Sequence, residues 1–437
     1  MAPRFSGRNA VAACALALAL TGGAVVIGGS DGGGPGAAPT AVAPATPLQG
    51  LGTGGLDQGV RALQAHLRVQ PRDFGAWATL GTAYVEQART QGDPSRYAEA
   101  EQALARSLKL HPDANDAALA GRAALAAARH DFRGALRDAR AALAVNPYGE
   151  RALSTRIDAL VELGRYGEAA RAADEADARR PGVPVFTRFS YVRELRGDVT
   201  GARQVLERAL DGVSAPGDVA YVATSLGQLA WRQGDFEGAA ARCGQALRAD
   251  AGYVPALECR ARARAGRGDP AGAIRDLRDV VARYPLPGPL VELGELYESR
   301  GDLAPAREQY GLVGAWIKLA RANGVDVDLD TALAAADHGD RAAALRAARA
   351  EWQRRHTVHT ADALAWALHA HGRDGEALPY ARFATSTGFK EAAFFYHRGV
   401  VARGAERAEW LGRALRLNPG FSPVGAEKAR ALLRGAS

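Results

Sequence analysis

Residues 226–250 read LGQLAWRQGDFEGAAARCGQALRAD, and residues 257–277 read LECRARARAGRGDPAGAIRDL. Both stretches carry the same punctuation, a glycine, a polar residue, an apolar residue or proline, and then alanine (Gly234-Asp235-Phe236…Ala239 and Gly268-Asp269-Pro270…Ala273). The marker recurs at Gly164-Arg165-Tyr166…Ala169 and at Gly301-Asp302-Leu303…Ala306. Gly234 and Gly268 lie 34 residues apart, as do Pro147 and Pro181, and Ala251 and Pro285. On either side of the marker, apolar residues recur three, four and seven apart, which is helical spacing. A period of 34 split by a glycine turn predicts two helices per repeat. One such pair cannot bury its own apolar face, so neighbouring pairs must stack.

Composition agrees. The chain has 437 residues, is 47% apolar and only 7% aromatic, and alanine supplies much of the apolar share. A core so poor in large side chains requires helices to approach closely. Long runs of Ala, Leu, Arg and Glu without β-branched stretches read as helix and exclude both bulk disorder and an all-β fold. The formal charge of +7 comes from 55 basic and 48 acidic residues. Only Lys109, Lys318, Lys390 and Lys428 are lysines, so the basic side is almost all arginine. Acidic residues are interspersed throughout, and no nucleic-acid partner is expected.

The N-terminus reads as an address. Arg4 and Arg8 precede an uncharged run, Ala10 to Gly29. That polarity suits a signal peptide or a single membrane anchor over residues 1–29, with the protein exported or held at the membrane. Residues 30–55 are Gly/Pro/Ala-rich and read as a disordered tether.

From residue 57 the chain resembles the tetratricopeptide repeat (TPR) family. The first full repeat carries Trp77, Leu80, Gly81 and Tyr84, then Tyr97, Ala100, Leu104 and Pro112, with an insertion around Gln91–Ser95. Another shows Leu226, Gly227, Gly234, Phe236, Ala239 and Ala246, and a third Leu293, Gly294, Tyr297, Ala306 and Tyr310. The resemblance implies an all-α, right-handed solenoid of about nine to ten hairpins. It spans residues 56–421 with a capping helix over 422–437. The small residues Gly227, Gly294 and Ala239 are expected where the two helices of a hairpin cross. The pattern loosens after Ala315–Asn323, where the second helix is extended, and at Asp326-Val327-Asp328-Leu329-Asp330.

In that family the first helix of each pair lines a concave wall that takes a partner peptide or helix. Carried over by register, the wall comprises Thr82, Glu86, Asp158, Glu162, Tyr191, Tyr221, Gln228, Trp231, Arg232, Glu258, Arg262, Glu295 and Glu298. Tyr191, Tyr221 and Trp231 are the expected anchors, because large aromatics with a polar handle are typical of binding hot spots. Acidic and basic groups share the wall, which implies a mixed-charge ligand.

Nothing in the sequence signals chemistry. There is no Gly-x-Ser-x-Gly elbow, phosphate loop, dinucleotide fingerprint or zinc-protease helix, and no cofactor is expected. His356 and His359 form one HxxH, and His359, Asp362, Trp366 and His369 are expected to share a solvated helix face rather than to form a metal centre. Asp326, Asp328 and Asp330 mimic a calcium loop but lack its glycine and its final glutamate, and are expected to cap the next helix. Cys243 and Cys259 fall on helices that should pack, leaving a disulfide and two buried thiols both open. The expected function is a non-enzymatic scaffold outside the cytoplasm that holds a protein or peptide partner. The competing expectation is an enzyme or metal-handling protein using residues 325–400, which would require a deep polar pocket there.

Overall fold

The computed structural model describes residues 53–91 and 94–435. Among them every regular element is a helix, 22 in all. Helix α1 (Thr53–Val69) caps the start. Hairpins follow as α2/α3 (Phe74–Gln91, Arg96–Leu110), α4/α5 (Asp116–Ala128, Phe132–Val145), α6/α7 (Glu150–Glu162, Tyr166–Arg179), α8/α9 (Val183–Leu195, Val199–Asp211) and α10/α11 (Pro216–Arg232, Phe236–Ala249). Then come α12/α13 (Val254–Gly266, Pro270–Arg283), α14/α15 (Pro287–Ser299, Leu303–Ala322), α16/α17 (Asp328–His338, Arg341–Arg354), α18/α19 (Val358–Ala370, Asp374–Ala384) and α20/α21 (Ala392–Val401, Gly404–Leu417). Helix α22 (Pro423–Arg434) closes the array. The N-terminal address and residues 30–52 of the expected tether fall outside the described residues, while Thr53–Gly55, read as the tether's end, belong to α1. No helix among those described is long and apolar enough to cross a membrane.

Local chemistry sets each hairpin. The turn glycines Gly164, Gly197, Gly234, Gly268 and Gly301 all have φ between +71° and +82°, a region that costs any side chain. The next residue often caps the second helix. Asp131, Asp198, Asp235 and Asp269 each accept the N–H of a glycine three residues on, which satisfies one of the helix's orphan donors. Those glycines leave room for the carboxylate. The crossing positions are equally tight. A Cβ at Gly81 or Gly121 would sit inside contact distance of the Leu104 side chain, and Leu104 is fully buried, worth about 1.5–3 kcal/mol.

Curvature follows from which layer crowds. The first helices of successive hairpins, such as α2 with α4, α4 with α6 and α16 with α18, adjoin one another, and the second helices make no comparable contacts. The first helices therefore form the inner wall. The coil is tight enough that its second turn rests on its first. Turns of the lower coil meet loops of the upper one at regular stations. The Tyr284 hydroxyl donates to the Arg89 carbonyl at 2.5 Å, and His130 Nδ1 to the Asp326 carbonyl at 2.5 Å. Gly164 lies against the His356 carbonyl and Gly197 against that of Gly388. Asn418 Nδ2 donates to the Trp231 carbonyl at 2.8 Å, beside Gly234. The contact continues at Gly420, which packs against Gly266 and Phe236, whereas a Cβ at Gly268, Gly301 or Gly372 would meet open space.

Cys243 on α11 and Cys259 on α12 are joined by a disulfide with 5.9 Å between their Cα atoms. Gly227 lies over the bond, where a Cβ would come within 2.7 and 2.8 Å of the two sulfurs. The bond staples one hairpin to the next across 16 residues. Reduction is expected to remove about 2–3 kcal/mol of stability. Thermal melting with and without dithiothreitol checks this, and a Cys243→Ala/Cys259→Ala variant should be insensitive to the reagent.

Candidate functional site

The inner wall is wired by ion pairs between neighbouring hairpins. Arg188 on α8 binds Asp158 on α6 with both partners buried and 2.8 Å apart, and Arg232 on α10 binds Glu194 on α8 at 2.7 Å. Glu86 takes Arg89 at 2.9 Å and Arg151 at 3.1 Å. Burial works against the charge on Glu86, but the two arginines outweigh it and hold its carboxyl at about 2. Arg262 bridges Glu258 and Glu292. The two coils share one cluster, in which Arg355 of the upper turn binds both Glu351 and Glu162 of the lower turn. Here burial prevails, and it pushes the Glu162 carboxyl up to about 7 against the pull of Arg355.

None of the thirteen residues carried over to the wall is exposed. Thr82 and Asp158 are buried, as is Arg232. Tyr191 packs edge-to-face on Phe389 of the upper coil, with its hydroxyl 3.4 Å from His359 Nε2. Tyr221 is buried in a cluster with Val183, Leu206 and Leu229. Trp231 is half-buried under the Arg262 guanidinium, 5.4 Å away. Gln228 is half-buried. Glu295 accepts the Ser422 hydroxyl at 2.7 Å and Glu298 that of Tyr310 at 2.9 Å. The coil wraps the wall into a bore in which Glu86, Asp158, Glu162 and Glu258 are paired with arginines, while Glu295 and Glu298 accept hydroxyls. Arg151, Arg188, Glu194, Glu292, Glu351 and Arg355 complete this network and were not among the residues carried over. Their signal lay in the period, because Asp158 to Arg188 and Arg262 to Glu292 each span 30 residues, close to one repeat.

The bore opens at the free edge of the upper coil, at the C-terminal ends of α16, α18, α20 and α22. A cavity of about 540 Å³ lies there, lined among others by Asp337, Arg341, Trp366, His369, Tyr396 and Lys428. Trp366 forms its floor. The indole donates to Asp337 at 2.9 Å and stacks on His397 and His369, with centroids 4.0 and 4.9 Å away. His369 pairs with Asp374 at 2.7 Å and His397 with Asp362 at 2.9 Å. Burial opposes a charge on His397, but Asp362 overrides it and raises the pKa. Arg341 and Lys428 are exposed. The face expected from His359, Asp362, Trp366 and His369 thus forms in part. His359 lies at its far end beside Tyr191, where burial and the nearby Arg355 and Arg232 lower its pKa to about 4.

Asp326, Asp328 and Glu351 offer carboxylate oxygens within 4.8 Å of one another. The Arg354 guanidinium already binds all three. Asp326 also accepts the N–H of Asp328, the first residue of α16, at 3.2 Å. The Asp330 side chain lies outside what is described.

Comparison with known proteins places the fold. The family profile for the tetratricopeptide repeat matches residues 196–254 and 260–319. No curated protein matches. The solved APC/C hetero-tetramer Cut9-Hcn1 is 13% identical, with a TM-score of 0.50 over 88% of this chain and 73% of that one. A tetratricopeptide repeat protein from Parabacteroides merdae is 20% identical, with a TM-score of 0.41 over 53% of this chain and 87% of that one. Yeast Tom70 is 14% identical, with a TM-score of 0.41 over 87% and 86% of the two chains.

Proposed function

We propose that this tetratricopeptide repeat protein is a non-catalytic interaction scaffold that holds a short segment of a protein partner at the open mouth of its bore. The observation that carries the reading is the contrast along the inner wall. Over the first coil the charges are spent on one another, whereas at the mouth an aromatic floor of Trp366 and Tyr396 lies beneath the exposed cations Arg341 and Lys428. A partner segment with an apolar side chain and an acidic flank would fill that cavity and extend toward Glu295, Glu298, Arg262 and Trp231 deeper in the wall. The cavity does fall within residues 325–400 and their flanks, the stretch on which an enzymatic reading would also depend. The stacked and hydrogen-bonded imidazoles there favour recognition, since each already serves to fix Trp366 or a helix end.

We further propose that the scaffold works outside the cytoplasm, held there or exported by its N-terminal segment. The Cys243–Cys259 disulfide supports this, because such bonds persist in oxidising compartments.

A photo-crosslinker tests the site. Placed at the exposed Ala431 of the mouth, it is expected to trap a discrete partner in the native envelope. Placed at the exposed Arg307 of the outer layer, it should trap none. Arg341→Glu with Lys428→Glu should abolish the product without changing the melting temperature. Equal trapping from both positions, or capture indifferent to the charge reversal, would overturn the reading.

A further inference from the structure

A second cleft lies on the outside of the seam, where the two coils meet. It has a volume of about 620 Å³ and is lined by Arg133, Arg137, Arg140, Arg165, Arg354 and Arg355, together with His356, Leu136, Leu163 and Gln353. Six of the ten lining residues are arginines and none is acidic. Carboxylates do lie nearby, and their placement is informative. Asp138, Glu162 and Glu351 are buried behind the guanidiniums. There they bind Arg137 and Arg355 from the rear and hold the remaining N–H groups toward the cleft. Glu168 pairs with Arg165 at 2.6 Å and with Arg140 at 3.5 Å, and Asp326 and Asp328 bind Arg354 at 2.8 and 2.7 Å. Arg133 pairs with no carboxylate among the described residues. Its hydrogen bond runs to the Arg354 carbonyl at 3.3 Å, across the seam.

The arrangement carries an electrostatic cost of its own. Arg133, Arg137 and Arg140 share one face of α5 at spacings of four and three, where like charges repel. Arg133 also occupies the second position of that helix, the end whose dipole disfavours a cation. A ligand with concentrated negative charge would relieve both penalties. Guanidinium forks, held in place from behind, match phosphoryl oxygens two at a time. At about 620 Å³ the cleft has room for more than one such group.

The geometry points to a binding site for a small anion carrying two or more phosphoryl groups, gripped between the coils by Arg133, Arg137 and Arg140 below and Arg354 above. This site is remote from the mouth and independent of the scaffold reading. The ligand would bridge the seam, so its binding would raise the stability of the whole coil by mass action.

Calorimetric titration of the full chain with inorganic pyrophosphate tests the assignment. One equivalent should bind at physiological ionic strength and raise the melting temperature in a concentration-dependent way. Arg133→Glu with Arg137→Glu, both exposed, should weaken binding by about tenfold or more. The milder Arg133→Gln with Arg137→Gln should fall between, which covers a folding defect in the first variant. Arg341→Glu with Lys428→Glu at the mouth should bind pyrophosphate as the parent does. No heat and no thermal shift at millimolar pyrophosphate, or an unchanged affinity in both Arg133/Arg137 variants, would sink the site. Tighter binding of a short oligoglutamate than of pyrophosphate would overturn the phosphoryl assignment.

Discussion

Gly164→Ala is expected to destabilise the protein by about 3–5 kcal/mol. Two costs add. At φ +71° an alanine pays the left-handed penalty, about 1–2 kcal/mol. Its Cβ would also run into the His356 carbonyl, a backbone atom that cannot step aside. The two coils must part locally, which breaks the Arg355–Glu162 pair and the 2.9 Å bond from the Val358 N–H to the Tyr166 hydroxyl. Gly268→Ala is the matched control. Its φ is +82°, but a Cβ there meets nothing within 4 Å, so only the conformational penalty remains. Urea unfolding of both variants separates the two contributions, and the difference reports the seam. Equal losses in the two would mean that the coils do not rest on each other in solution.

Arg355→Met is expected to cost about 3–5 kcal/mol at pH 8, because it leaves Glu162 and Glu351 facing each other in a buried site. The pH dependence identifies the cause. In the parent, burial raises the Glu162 carboxyl from 4.5 to about 7 in the folded state. The folded protein then binds more protons than the unfolded chain between those values. This group's contribution to stability therefore grows as the pH falls through 7 and levels off below about 4.5. Removing Arg355 removes the one cation that pulls the other way, so acid should rescue Arg355→Met more strongly than it helps the parent. Melting curves from pH 8 to pH 5 measure this. A loss that stays constant across the range would mean that Arg355 acts through packing alone, for instance on the Phe132 ring 4.9 Å away. Glu162→Gln in the Arg355→Met background should recover part of the loss at pH 8 and none at pH 5.

The hairpins were legible because their signals are local. A glycine at positive φ, an aspartate cap and an alanine at the crossing need only a few neighbouring residues to declare themselves, and Gly234-Asp235-Phe236…Ala239 shows all three. The extended α15 was legible for the same reason. The inner wall was legible as a set of positions but not as an environment. Tyr191 and Tyr221 have the composition of anchors, yet Phe389 and Leu206 cover them, and nothing near residue 191 announces residue 389. The pitch that brings such positions together sums small rotations over five or six hairpins, and no single hairpin encodes it. Arg354 and Arg355 illustrate the same limit. In sequence they close an arginine-rich helix, and only the coil's closure sets them opposite Glu162, Arg133 and Arg137.

One consequence of the seam concerns how such a gene can change. An open array can gain or lose a hairpin by duplication or deletion with little effect beyond its length. Here the turn at Gly164 must find the loop at His356, and the turn at Gly197 that at Gly388. A thirty-four-residue insertion anywhere between those partners would present every turn to the wrong loop at once. The copy number of this stretch is therefore locked by geometry, and divergence is confined to the outer faces and to the two free ends.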